Sequence, residues 1–237
     1  MSDFLLELYS EEIPPKLQIN ARNQLKNEIE KLLSEKDIKY KECLDFSSPT
    51  RLTIYLSGLP NKVKVKSKEI KGPKVGVTEN VIKSFINSRN ITEKHLYKKK
   101  TDKGNFYFAK TNEEELLTDN LLIDILPKAL SSISWKKSMK WSTNTLLWGR
   151  PLRAIYAVFN NKKLSFKFHH LESTDTIIIE QNLSKYSRKI KNFNEYKLFL
   201  AKNNIFVDHL KRKEIILNKI KKISKTKNYK EFINQNL

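Results

Sequence analysis

The chain has 237 residues, 39% of them hydrophobic and 10% aromatic, enough for one or two domains with real cores and too much for wholesale disorder. No apolar run is long enough to span a membrane as a helix, and the one cysteine, Cys43, excludes an internal disulfide and a cysteine-rich zinc site. The net charge of +20 favours polyanionic partners, and the acidic start MSDFLLELYSEEIPP does not read as a signal peptide, so a reducing cytoplasm is the expected compartment.

In chain order, residues 4–9 read as a buried strand. Pro14-Pro15 opens a helix, because proline suits the first turn, and Leu17, Ala21, Leu25, Ile29 and Leu33 keep helical spacing to about Asp37. Residues 51–58 alternate and are rich in β-formers. Residues 61–70 alternate Val and Lys, as an exposed or edge strand would, and Lys71-Gly72-Pro73 is expected to break it. A short helix over 78–89 packs through Val81, Ile82 and Phe85. Thr101-Asp102-Lys103-Gly104 predicts a hairpin turn between 96–100 and 105–110.

A long helix is predicted over 113–133, with Glu113, Glu114 and Glu115 at its dipole-favoured start and Pro127 kinking or interrupting it. Strands follow at 146–148, 152–159, 163–168 and 177–179, with a turn at Asn160-Asn161. Helices cover 193–203 and 208–225, the second capped by Asp208. The fold class is α+β, with mixed strands and helices, ending in a basic helical segment; strict βαβ alternation is missing. The expected division is an α+β region over 1–170 and a smaller mixed or helical basic region over 171–237, with the boundary near 169–175.

Charge is unevenly spread. Residues 61–110 carry 14 basic and 4 acidic side chains, and residues 161–237 carry 18 against 7, while residues 1–60 carry 8 against 10. Clustering of that kind suggests a footprint for a polyanion. The competing reading is compositional: lysine outnumbers arginine 39 to 7, beside 22 Asn and 23 Ile, a skew typical of AT-rich genomes. Arginine is the better bidentate phosphate ligand, so charge by itself leaves both readings open.

Catalytic constellations are mostly absent. The five glycines form neither of the common phosphate-binding loops, no nucleophile elbow is present, and His95, His169, His170 and His209 have no metal-ligand spacing. Glu11-Glu12 precedes a helix and reads as a dipole partner. No catalytic residue and no metal site is assigned. The better signals are aromatic–basic. Trp135-Lys136-Lys137-Ser138-Met139-Lys140-Trp141 places two rings around three cations, and Arg150-Pro151-Leu152-Arg153 follows Trp148. Rings stack on bases and cations meet phosphates; equally, the tryptophans anchor a core edge while the lysines are solvated. In the helix 208–225, Leu210, Leu217, Ile220 and Ile223 lie near one face and lysines crowd the rest. Lys136, Lys137, Lys140, Arg150, Arg153, Lys211 and Arg212 are therefore the candidate contacts for RNA or a partner, chosen on charge and clustering.

Six short words then occur in one order. They are Phe4-Leu5-Leu6-Glu7…Glu11-Glu12-Ile13-Pro14-Pro15, Ser48-Pro49-Thr50-Arg51-Leu52, Lys71-Gly72-Pro73, Thr101-Asp102-Lys103-Gly104, Lys137-Ser138-Met139-Lys140-Trp141 and Arg150-Pro151. Together they resemble the N-terminal part of the β subunit of bacterial tetrameric (α2β2) glycyl-tRNA synthetase. The sequence departs from the family's pattern at Leu8-Tyr9, where a glycine is usual, and at Glu180-Gln181-Asn182-Leu183, which stands about where a Gly-His-Arg-Phe stretch is expected. The family's HD-like and C-terminal anticodon-binding domains have no counterpart in this sequence.

The resemblance implies an accessory, non-catalytic portion of glycine–tRNA ligase. In that family the α subunit uses ATP, with Mg, to activate glycine and charge tRNA(Gly). The β subunit supports tRNA(Gly) binding and assembly. The expected partners are the α subunit and tRNA(Gly), with no membrane and no cofactor bound by this chain. The alternatives are a free-standing basic RNA-binding module and a structural interaction fragment with no activity of its own.

Overall fold

The computed structural model describes residues 1–65, 69–89, 91–102, 104–110, 114–181, 184–230 and Phe232. Two compact units emerge: one combines Met1–Asn61 with Thr118–Leu237, and the other is Lys62–Leu117. The division thus falls at 61/62 and 117/118, whereas the sequence suggested 169–175. Around 169–175 the chain is still adding strands to the first unit's main sheet, and residues on both sides of that point share one core.

The first unit begins with β1 (Ser2–Ser10), α1 (Pro15–Glu35), β2 (Glu42–Ser48) and β3 (Arg51–Leu59). Pro15 occupies the first helical turn, as expected, and Gln18, Ala21, Arg22, Leu25, Ile29 and Leu33 form the buried stripe of α1. Gly58, near the end of β3, has φ +74, and a Cβ there would come within 2.7 Å of the Lys41 side chain. Only glycine suits that bend.

The second unit holds β4 (Lys62–Val65), β5 (Glu69–Lys74), α2 (Glu79–Arg89), β6 (Leu96–Thr101), β7 (Gly104–Lys110) and β8 (Glu114–Leu117). β4 pairs with β8, and β5-β7-β6 form a three-stranded sheet. The single strand expected over 61–70 is therefore two strands in different sheets. Lys71-Gly72-Pro73 does not break the second one: the pairing of β5 with β7 slips between Lys71 and Lys74, and that bulge accommodates a proline without an N–H. A Cβ on Gly72 would lie 2.9 Å from the ring of Phe85, so the missing side chain lets α2 approach. In α2 it is Ile86 that is buried, while Val81 is 45% exposed. The hairpin of β6 and β7 matches the prediction; Lys103 in its turn lies outside the described residues.

The long helix expected from 113 is also corrected. Glu114–Leu117 is strand, and Glu113 lies outside the described residues. Lys62 Nζ meets Glu115 Oε2 at 2.8 Å across the β4–β8 ladder, a cross-strand pair of opposite charges. Strand pairing overrides the helix signal that three glutamates give in isolation.

The first unit resumes with α3 (Thr118–Ser131), β9 (Leu152–Phe159), β10 (Lys162–Lys163), β11 (Lys167–Phe168), β12 (Leu171–Thr174), β13 (Thr176–Gln181), β14 (Ser184–Lys189), α4 (Phe193–Lys202) and α5 (His209–Lys227). α3 runs through Pro127. The 163–168 strand splits into β10 and β11, and 146–148 is no strand but one bridge between Met139 and Trp148. Asn160 and Asn161 both have positive φ (50 and 61), as the tight turn from β9 to β10 requires. Asp208 caps α5 as read from the sequence, accepting from the N–H groups of Leu210 and Lys211.

The main sheet runs β11-β12-β9-β1-β3-β2, with β10 also on β9. All its pairings are antiparallel except β12 with β9. β1 is its centre and is buried on both faces, which explains its unbroken apolar run. α1 packs on one side against β2, β3 and α3. On the other, Leu5, Tyr156 and Val158 join Ile177 and Ile179 of β13, Tyr196 and Leu200 of α4, and Val207 in one core. The fold is α+β, as the sequence indicated.

Candidate functional site

Three of the sequence words meet at one corner of the main sheet. Ser10 N donates to Thr50 O (2.9 Å), Glu11 N to Pro151 O (2.9 Å) and Ile13 N to Pro49 O (2.7 Å). Backbone bonds thus stitch the loop from β1 to α1, the turn from β2 to β3 and the entry to β9. Proline at 49 and 151 offers a carbonyl without an N–H of its own, which suits a position that only accepts.

Beneath this corner lies a buried polar network. Glu7 on β1 accepts from Arg51 Nη1 at 2.5 Å, with 2% and 1% of the two side chains exposed. The second oxygen of Glu7 accepts from the Tyr196 hydroxyl at 2.5 Å. That commits the tyrosine's only proton, so the Thr53 hydroxyl, 2.9 Å away, donates to Tyr196. Arg51 also donates to the Ile178 carbonyl, and its guanidinium stands 4.6 Å from the Tyr9 ring centroid. Burial pushes the Glu7 carboxyl above its ordinary range, against the opposing pull of Arg51 and of the Tyr196 hydrogen bond. The Tyr196 hydroxyl is raised well above 10, first by burial and then by the Glu7 charge. Together these residues tie β1, β3, β13 and α4. A glutamate sealed in this way works as a joint, not as an acid or base open to substrate.

The lysine-rich segment is built on its tryptophans. Trp148 is buried, 5.1 Å from Trp135 by ring centroid and edge-on to Phe168 at 5.8 Å. Gly149 lies so close beneath Trp135 that a Cβ there would fall 2.2 Å from the ring. Met139 and Trp148 exchange backbone hydrogen bonds of 2.9 and 3.2 Å. Trp135 and Trp148 are therefore core anchors, the plainer of the two readings of the sequence. Trp141 is half-buried, edge-on to His170 at 6.0 Å. Lys136, Lys137 and Lys140 are exposed, with no carboxylate partner among the described residues. Anchored rings and solvated cations make a fixed, positively charged loop.

The other candidates divide. Arg150 is half-buried and donates to the neighbouring Gly149 carbonyl. Arg153 is already paired: its guanidinium meets Glu180 at 2.5 and 3.0 Å and Glu11 at 3.3 Å. Arg212 is spent on structure, donating from Nη1 to Phe206 O (2.6 Å) and Ser47 O (3.0 Å), which fixes the start of α5 to the end of β2. Lys211 is exposed, and its ammonium group has no carboxylate partner among the described residues. The structure thus gathers Lys136, Lys137, Lys140 and Arg150 on one segment, while Arg153 and Arg212 act as internal ties.

Sequence reasoning named no residues for the basic excess of Lys62–Leu117, which the structure spreads over both faces of the β5-β7-β6 sheet. On β5, β6 and β7, Lys71 stands 3.6 Å from the Phe106 ring centroid, Lys98 5.8 Å from Tyr107 and Lys99 5.2 Å from Phe108. Lys99 is held by Glu69 at 2.9 and 3.0 Å, whereas Lys71 and Lys98 have no carboxylate partner among the described residues and are the cations of this sheet open to an anion. The signal was the charge excess over 61–110; the pairing across strands that brings each lysine to a ring was not readable.

The sequence model of the glycyl-tRNA synthetase beta subunit family matches residues 4–237. The glycine–tRNA ligase beta subunit of Rickettsia felis is 32% identical over 230 residues, 96% of this chain and 34% of that protein. The beta subunit of Rickettsia prowazekii is 34% identical over 217 residues, 91% of this chain and 32% of that protein. That of Rickettsia bellii is 33% identical over 216 residues, 91% of this chain and 33% of that protein. The chain spans about a third of the length of these relatives.

Proposed function

The chain belongs to the glycyl-tRNA synthetase β-subunit family, and from that premise we propose that it is the accessory N-terminal portion of glycine–tRNA ligase. In this reading it supports tRNA(Gly) binding and assembly with the α subunit in the reaction ATP + glycine + tRNA(Gly) → glycyl-tRNA(Gly) + AMP + diphosphate. ATP and glycine are handled by the α subunit, and this chain supplies surface.

The observation that carries the reading is the division of labour among its charges. Two ionisable residues of the ordered words, Glu7 and Arg51, are sealed into the joint that holds the sheet together. The exposed Lys136, Lys137 and Lys140 stand unpaired, among the described residues, on a segment pinned by two tryptophans. Fixed cations without internal partners gain most from a phosphate backbone, because counterion release rewards them and no ion pair has to break.

The test is reconstitution. The cognate α subunit is assayed for glycylation of tRNA(Gly) with and without this chain, and tRNA binding by the chain is measured against salt. Association with α, a raised glycylation rate and salt-dependent tRNA binding are expected. No association and no change in rate would overturn the assignment. Salt-dependent RNA binding without affinity for α would favour a free-standing RNA-binding module instead.

A further inference from the structure

A groove of about 700 Å3 opens on the first unit between α1, β2, α4 and the segment that leads into α5. Its size is that of a binding site, and its floor is mainly apolar: Leu44, Phe46, Leu200, Ile205 and Val207. None of these residues has a role in the tRNA-binding surface described above. Leu210 is 70% exposed, an apolar side chain left at the rim.

The polar groups of the groove are unequal. Its two carboxylates are consumed by the chain itself. Asp45 meets Arg22 at 2.6 Å and Lys26 at 3.3 Å, and Asp208 accepts the first free N–H groups of α5 from Leu210 and Lys211. The cations are not balanced in return. The ammonium groups of Lys197 and Lys211 have no carboxylate partner among the described residues, and Asp45 carries one negative charge against Arg22 and Lys26 together. The His209 ring, also lining the groove, has an Nδ1 without a hydrogen-bond partner, and burial with Arg22 nearby lowers its proton affinity.

Apolar floor and positive rim fit an amphipathic anion, and the state of the Phe193 ring favours one kind. Phe193 is stacked on Tyr55 at 4.2 Å and on Phe46 at 5.6 Å, and Lys197 Nζ stands 4.5 Å from its centroid. Its faces are already occupied by the chain's own groups. A nucleobase needs an open ring face to stack on, whereas aliphatic and aromatic side chains of a peptide need only apolar volume. We infer that this groove is a docking site for a protein segment that carries large apolar anchors flanked by aspartate or glutamate. The rim lysines steer such a segment and fix its register, and the floor supplies the affinity. The site is independent of the tRNA reading and stands if that reading fails.

The test uses the intact chain. A display library of random twelve-residue peptides is selected on the immobilised chain. The enriched peptides are made with a fluorescent label and measured by anisotropy against the wild type, Leu210→Asp and a Lys197→Glu/Lys211→Glu double variant. Enriched sequences should pair apolar anchors with acids, and both variants should weaken binding at least about tenfold at unchanged melting temperature. Methyl NMR of the wild type is the second measurement, in which Leu44, Leu200, Val207 and Leu210 should shift on titration even if a variant folds poorly. A short single-stranded RNA is the competing probe. The inference falls if no peptide is enriched, if the enriched peptides lack acids or bind the variants equally well, or if the RNA displaces the peptide and shifts the same methyls.

Discussion

Glu7 and Arg51, 44 positions apart, form a 2.5 Å ion pair inside the central sheet, with both side chains almost wholly removed from water. They sit diagonally on adjacent strands, since Tyr9 stands opposite Arg51 and Glu7 opposite Thr53 in the register of β1 and β3. A pair in such surroundings is costly to desolvate, and removing one partner leaves the other charge buried and alone.

Arg51→Met should therefore destabilise the first unit by about 3–5 kcal/mol. Urea unfolding checks this. The Glu7→Gln/Arg51→Met double variant should lose clearly less than the two single losses added together, because the uncompensated charge is gone in both directions. Additive losses would show that the pair is not coupled.

The raised proton affinity of Glu7 has a definite consequence for pH. Its ordinary value is 4.5 and the folded value lies higher. The folded state therefore holds the Glu7 proton more tightly than the unfolded state. This group's contribution to stability is fully present below 4.5, declines as pH rises through the folded value, and is constant above it. The stability of the wild type minus that of Glu7→Gln, measured by urea unfolding at a series of pH values from the acid side upward, should fall as pH rises. A difference that rises or stays flat would contradict the sealed environment of the carboxyl.

Gly149→Ala places a methyl group against the Trp135 ring, where an ideal Cβ would fall at 2.2–2.8 Å. The ring cannot yield freely, because Trp148 packs against it at 5.1 Å, tilted by 56°. The substitution should cost about 1–3 kcal/mol by overpacking, with a change in tryptophan fluorescence. An unchanged melting temperature and spectrum would refute the packing.

For tRNA binding, the expectation separates the paired from the unpaired cations. Replacing Lys136, Lys137 and Lys140 together with alanine should flatten the dependence of log K on log salt by roughly 2–3, about 0.7–0.9 for each phosphate no longer neutralised. Arg153→Ala should leave the slope near its wild-type value, since Glu180 and Glu11 already hold that guanidinium. Equal effects from the two variants would remove the distinction.

The sequence was most legible where a local signal sets the structure. Pro14-Pro15 marked the start of α1, Asp208 the cap of α5, and Asn160-Asn161 the turn out of β9. It failed where pairing partners lie far along the chain. Glu114 and Glu115 read as a helix start because nothing nearby shows that β4 waits to pair with them. Strands β2, β12 and β14 carry too little alternation to stand out and are made by their neighbours.

The same contrast holds for function. The sequence by itself determined the α+β class, the positive charge and the family, because ordered words survive as words whatever they touch. Only the tertiary structure decided which charges are available. Arg153 and Arg212 look like Lys136 and Lys140 in a charge count. Folding brings Arg153 to Glu180 and Arg212 to the carbonyls of Ser47 and Phe206, and leaves the lysines in water. An ion pair or a carbonyl clamp is a matter of a few ångströms between distant segments, and that distance is written nowhere along the chain.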